Sequence, residues 1–284
     1  MGIARPTIGR SGEMSLEDFT LEGSEGETRL EFDLAEEINE ERWQGMKDVL
    51  EWYCQRGEWG SALDQAAALK VIFPDKKIEL GLTEEEWRNM KDSYDYYCKQ
   101  EDWEFALSKA MNLKILFPDR IGELGLDEEK WQGMKKFYED KCQNEIWLAA
   151  ASTAAALKIV FPNKVSELDL DETKWQSMEA TYEKYCQSNS WYSAAELFAS
   201  IKIVYPKEAV ELDLNQERLS SMLKVYNEYC QVDNFGSAAY TAMNLKIMMA
   251  KEVRISDQGL DLVMDEGEDY GQEIPARPER KKTN

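Results

Sequence analysis

Apolar positions in this chain follow two periods at once. Over Trp103–Pro118 they fall at Ala106, Leu107, Ala110, Met111, Leu113, Ile115, Leu116 and Phe117. The i, i+3, i+4, i+7 spacing of that stretch predicts a helix with a wide apolar face. The whole stretch returns every 44 residues, opened in turn by Trp59, Trp103, Trp147, Trp191 and Phe235. The third copy, WLAAASTAAALKIVF, is apolar or small on almost every side, which predicts a helix covered all round. Pro74, Pro118, Pro162 and Pro206 end four of the copies, because proline has no amide proton and drives the preceding residue out of the helical region. Ala250 takes that place in the fifth, so there the helix is expected to run on toward Arg254.

A second helix precedes each of these. Asn39, Thr83, Asp127, Asp171 and Asn215 are N-cap residues, and Thr83 with Glu86 fits a capping box. The stripe that follows reads Trp87, Met90, Tyr94, Tyr97 and Cys98, with counterparts 44 residues apart; Lys141 interrupts it in the third copy. Four or so polar residues join the two helices, which forces an antiparallel hairpin. After the proline, Ile121, Leu124 and Leu126 predict a short third helix and a buried connector. Gly81 and Gly125 suit a positive φ at its end, and Asp169 and Asp213 hold the same place later. Eight of the nine tryptophans open one helix or the other, a recurrence expected of packing residues rather than of one binding site.

A helical hairpin repeated at fixed period resembles the α-solenoids, the HEAT, armadillo and tetratricopeptide arrays. The resemblance covers residues 39–256 and concerns architecture; the short third helix is armadillo-like. It implies an all-α fold, a right-handed α-solenoid of five 44-residue hairpins (39–82, 83–126, 127–170, 171–214, 215–256). Residues 30–38 are expected to form a partial N-terminal cap. Residues 1–29 and 257–284 read as disordered tails, the second acidic and then basic. MSLEDFTLEG (14–23) is a candidate docking motif and 277–282 a basic cluster.

The net charge of −22 argues against a nucleic-acid backbone or an anionic membrane as partner. The N-terminal MGIARPTIGRSG lacks a secretory apolar run, and no stretch is long enough to span a bilayer, so a cytoplasmic protein is expected. There is no histidine, which removes the commonest general base and zinc ligand. Cys54, Cys98, Cys142, Cys186 and Cys230 share one repeat position with no CxxC pair, as small core residues do. No phosphate loop, nucleophile elbow or metal-spaced cluster is present, so no cofactor or metal is expected.

Two sets of residues stand out. Lys70, Lys114, Lys158, Lys202 and Lys246 sit in the most apolar part of the second helix. They read either as a ladder lining a groove for an acidic ligand, or as structural lysines that pair with connector glutamates (Glu79, Glu123, Glu167, Glu211) or snorkel to water. Phe105, Leu148, Tyr192, Leu197 and Tyr240 vary where the frame does not, and read either as an apolar strip for a partner or as packing between layers. These features predict a non-catalytic scaffold that binds a protein or peptide in a groove of stacked hairpins. The alternatives are a small-ligand or glycosidase-like helical enzyme, which needs convergent carboxylates from different repeats, and an acidic decoy for a nucleic-acid-binding protein.

Overall fold

The computed structural model describes residues 40–74, 83–256 and 259–264. The readings placed on 1–29, on 30–38 with Asn39, on Glu79 and Gly81, and on 265–284 lie outside them. Among the described residues, ten α-helices form five antiparallel hairpins. The first helix of each pair is α1 (Glu40–Arg56), α3 (Glu84–Lys99), α5 (Glu128–Gln143), α7 (Glu172–Gln187) and α9 (Gln216–Gln231). The second is α2 (Trp59–Ile72), α4 (Trp103–Leu116), α6 (Trp147–Val160), α8 (Trp191–Val204) and α10 (Phe235–Met249). Short 3-10 helices follow α4 and α6 at Pro118 and Pro162 and follow α8 at Glu208, where the connector reading places them.

The starts and stops are those the sequence dictates. Thr83 and Glu86 close a reciprocal capping box, and Asp127, Asp171 and Asn215 each accept a bond from the third amide of their helix. The residue before proline leaves the helix, Phe117 at φ −131° and Phe161 at −122°. Gly125 takes the left-handed conformation, φ 55°. Asp169 and Asp213 do not, because Leu168 and Leu212 end their connectors in extended backbone.

The left-handed residues stand instead at the tip of every hairpin: Gly57, Glu101, Glu145, Asn189 and Asp233, with φ between 54° and 70°. At each tip that residue's amide reaches back to the cysteine carbonyl, as in Glu101 to Cys98, and the next amide reaches one residue deeper, as in Asp102 to Tyr97. This is a left-handed helix C-cap, which glycine adopts without steric cost. Only the first copy has glycine. Glu101→Gly, Glu145→Gly and Asp233→Gly are each expected to raise stability by up to about 1 kcal/mol, measured by urea unfolding; Gly57→Ala should lower it.

The first helices carry one buried stripe. Trp87, Trp131 and Trp175 are buried together with Met90, Met134 and Met178 and with Tyr94, Tyr138 and Tyr182. Each tryptophan meets the aromatic that ends its own second helix edge to face: Trp87 with Phe117 at 4.9 Å, Trp131 with Phe161 at 5.2 Å, Trp175 with Tyr205 at 5.6 Å. Lys141 keeps its stem in the stripe and lays its ammonium over the Phe137 ring. The second helices are buried nearly all round and pack on one another in order, α2 on α4, α4 on α6, α6 on α8, α8 on α10.

The ends of the array then meet. Helix α10 packs on α2 as extensively as on α8, and also on α1. The closing contact has the register of the internal ones. Trp103 of the second hairpin lies against Gly133 of the third, and Phe235 of the fifth lies against Gly45 of the first. The five-hairpin, all-α repeat is therefore as expected, but its ends are joined, so no concave groove is left. Five helices spaced by the usual 8–10 Å place their axes only about 7–8.5 Å from the centre. Side chains fill that space.

The fifth helix ends at Met249 rather than running on toward Arg254. The chain becomes an antiparallel hairpin, β1 (Glu252–Ser256) and β2 (Gly259–Val263), where an irregular tail was expected from 257. Val253 pairs with Leu262 and Ile255 with Leu260, so one face is apolar. That hairpin contacts α4 and α6, the two second helices across the ring from α10. It thus crosses the end of the ring where the second helices finish; Gly259, at φ 98°, leaves room there for the Lys114 carbonyl.

Candidate functional site

The lysines form one circle at that finishing end. Lys70 donates to the Leu116 carbonyl (3.2 Å), Lys158 to Ile203 and Val204 (2.8 and 3.1 Å), and Lys202 to Met248 (2.5 Å). Each bond runs to the last turn of the next second helix, where carbonyls lack helical partners and the dipole favours a cation. Lys246 finds the same partner only by returning to the first hairpin, at the Ile72 carbonyl, 2.6 Å. Burial lowers the Lys70 and Lys158 pKa values, opposed by Asp119 and Glu208 respectively. Two of the connector glutamates have other partners. Glu123 accepts from the Trp87 indole (3.2 Å) and pairs with Arg120, and Glu167 accepts from the Trp131 indole (3.0 Å). Lys70, Lys158, Lys202 and Lys246 thus join neighbouring hairpins through backbone, and Lys114 is buried at the same repeat position.

The predicted apolar strip is dispersed. Leu197 is fully buried between helices and available to no partner. Phe105 is exposed at the start of α4 and stacks on Tyr97 at 5.1 Å. Leu148 and Tyr192 are half-buried at the starts of α6 and α8. Tyr192 and Tyr240 are brought together, their rings stacked at 6.2 Å.

Tyr240 belongs to a polar girdle inside the ring that sequence reasoning missed. One repeat position carries Asp64, Ser108, Ser152, Glu196 and Tyr240, and the position one turn further carries Ala68, Asn112, Ala156, Ser200 and Asn244. Asp64 accepts from Lys109 Nζ at 2.6 Å and from Asn112 at 2.8 Å, both on the next helix. Glu196 accepts from Tyr240 Oη at 3.4 Å and Ser152 Oγ at 3.5 Å; Ser152 also bonds Ser200 at 3.2 Å. Burial pushes the Glu196 carboxyl up, only partly offset by those two hydroxyls. Burial also pushes the Tyr240 phenol well up, with Glu196, Tyr192 and Asp64 adding to it. Two carboxylates thus flank Tyr240 from the helices on either side. Beside it opens a pit of about 150 Å³ lined by Tyr53, Ser61, Asp64, Ala68 and Gly236. Its size is below the roughly 300–1,000 Å³ of pockets for drug-sized ligands.

Around this mouth runs the rim of hairpin tips. Trp52, Tyr96, Phe105, Ile146 and Val232 are exposed there, each near the end of a first helix or the start of a second. Val210, in a connector, is the one other large apolar side chain exposed among the described residues. The turns carry Glu58, Glu101, Asp102, Glu145 and Asp233 against Arg56 and Lys99. Arg56 lies over the Trp52 ring at 4.6 Å.

The cysteines make no disulfide, and only Cys186 is fully buried. Burial raises the thiols of Cys54, Cys98, Cys142 and Cys186, which keeps them protonated and unreactive. Among the described residues no acidic or sulfur cluster could hold a metal ion, and no helix is long and apolar enough to cross a membrane. No protein-family model matches the sequence, and comparison with curated proteins and with solved structures gives no significant match.

Proposed function

We propose that this chain is a non-catalytic binding module that engages a protein partner through its rim of hairpin tips, and that the segment it takes is basic and carries apolar side chains. The observation that carries this reading is the concentration of exposed Trp52, Tyr96, Phe105, Ile146 and Val232 on one rim. Aromatic side chains exposed together are the usual anchors of an interface. The acidic turns and the net charge of −22 favour a cationic partner and speed its encounter. Nucleic acid is disfavoured by the same charge. The opposite end is covered by the β-hairpin, and the second helices face inward, so the rim replaces a groove as the binding surface. Five cysteines outside any disulfide fit a reducing compartment such as the cytoplasm.

A peptide display library screened against the intact protein tests this. Enrichment is expected for sequences rich in Lys or Arg with aromatic or aliphatic residues, and binding should weaken as salt rises. The triple variant Trp52→Ala, Tyr96→Ala, Phe105→Ala should lose roughly tenfold or more in affinity while keeping its unfolding midpoint. Enriched peptides that bind the triple variant equally well, or that are acidic, would sink the reading.

A further inference from the structure

One internal seam shows how this fold holds an ammonium near the hairpin tips. Lys109 on α4 reaches back to the preceding second helix, α2. There its Nζ donates to the Gly60 carbonyl at 3.1 Å and to both carboxylate oxygens of Asp64 at 2.6 and 2.7 Å. Lys109 is buried, only 5 % exposed. A buried cation is stable in that place because all of these partners are acceptors and one of them is charged.

The closing seam has the same place without the lysine. Gln65 stands at the register of Lys109, and on α10, the helix packed before it, Gly236 and Tyr240 stand at the registers of Gly60 and Asp64. Gln65 donates its amide N–H to the Met46 carbonyl of its own hairpin instead, at 2.9 Å. Gln65, Gly236 and Tyr240 all line the pit of about 150 Å³, and Asp64 lines it with them. Among the described residues, none that lines it is a cation.

The acceptors around the pit suit an ammonium. Tyr240 Oη donates its proton to Glu196 and keeps its lone pairs. Asp64 is bound by Lys109 and Asn112, yet its side chain is still 45 % exposed. Tyr53 and Tyr240 add aromatic walls, which attract a cation. The volume has room for one unbranched side chain and not for a cofactor.

We propose that this pit seats one lysine side chain of the partner segment, its ammonium donating to the Asp64 carboxylate, the Tyr240 oxygen and the Gly236 carbonyl. This assignment rests on the rim's role as a surface for a basic segment. It places that segment's anchor at the tips of the first and fifth hairpins, where Trp52 and Val232 are exposed.

The lysine side chain without its backbone is n-butylammonium. The test measures the thermal midpoint and the binding heat of the full chain with it near neutral pH, against n-butanol, sodium butyrate and sodium chloride at matched ionic strength. A saturable upward shift is expected from n-butylammonium and from none of the others. Gln65→Lys puts the chain's own ammonium in the pit, as Lys109 does one seam on. It should hold the ligand-free midpoint near the parent's and abolish the response. Gly236→Leu should also abolish it by narrowing the mouth; a Cβ there meets only Tyr53 Oη, at 3.6 Å, so the fold tolerates it.

The peptide screen separates the seat from the rim. Against Gln65→Lys, the enriched peptides should bind about tenfold or more weakly and lose their requirement for one lysine, while keeping their apolar positions. The triple rim variant should respond to n-butylammonium as the parent does. A parent that ignores n-butylammonium, an equal shift from n-butanol or butyrate, a response unchanged in both Gln65→Lys and Gly236→Leu, or peptides that bind Gln65→Lys as tightly as the parent would each overturn the seat and leave the rim standing. A response to n-butylammonium with no enriched peptide would uphold the pit as an ammonium site and overturn the rim.

Discussion

Replacing Trp131 with alanine is expected to cost about 3–5 kcal/mol of folding stability, a large share of the roughly 5–15 kcal/mol that a domain commonly has. Trp131 has no exposed surface, lies edge to face with Phe161, and donates its indole N–H to Glu167. The substitution leaves a void in the third hairpin between its first helix and the end of its second, and frees the connector that starts the next hairpin. Because each hairpin packs on two neighbours, the loss should appear as one cooperative transition at a lower urea midpoint, not as local fraying. Trp52→Ala is the matched control. Trp52 is 49 % exposed and should change stability by no more than about 0.5 kcal/mol. Equal costs for the two would mean that the tryptophan stripe is not the interior of this protein.

What was legible in the sequence was whatever repeats locally. The caps at Thr83, Asp127, Asp171 and Asn215, the stops before Pro118 and Pro162, and the buried Trp–Met–Tyr stripe are short-range consequences of residue type and spacing. The lysine circle was half legible. A lysine among apolar residues signals a satisfied ammonium, but its partner is a backbone carbonyl of the next hairpin, and no side chain marks that place. Glu123 and Glu167 were available as partners by charge and are taken by the Trp87 and Trp131 indoles by geometry.

The girdle left a signal that reading down the repeats would have found. Asp64, Ser108, Ser152, Glu196 and Tyr240 are all polar or hydroxyl-bearing at one position of an otherwise apolar helix. Grouping Leu197 with Tyr240 mixed two faces: the position of Leu197 also holds Gln65 and Thr153, both buried between helices. The strands were legible too, since Val253 with Ile255 and Leu260 with Leu262 alternate with period two.

Ring closure was not legible, because it depends on the small rotation between successive hairpins summing to a full turn. It makes the second large prediction. Gly45→Leu is expected to destabilise the protein by about 1–3 kcal/mol through overpacking, since a Cβ at Gly45 already lies 2.6 Å from the Phe235 ring. Gly133→Leu, whose Cβ would run into the Trp103 ring, should cost a similar amount at an internal seam. In an open array Gly45 would stand on a free end, and the same change would raise stability by about 0.5–1 kcal/mol, because leucine favours helix over glycine. The two architectures thus give opposite signs. Phe235→Ala, costly alone, should relieve much of the Gly45→Leu defect and none of the Gly133→Leu defect, a coupling that a double-mutant cycle reads directly. Small-angle scattering on Gly45→Leu supplies the second readout: a ring forced apart at one seam expands, whereas one that merely shifts Phe235 keeps its radius and shows only the lower urea midpoint. A stabilised Gly45→Leu variant would show that the first and fifth hairpins do not meet.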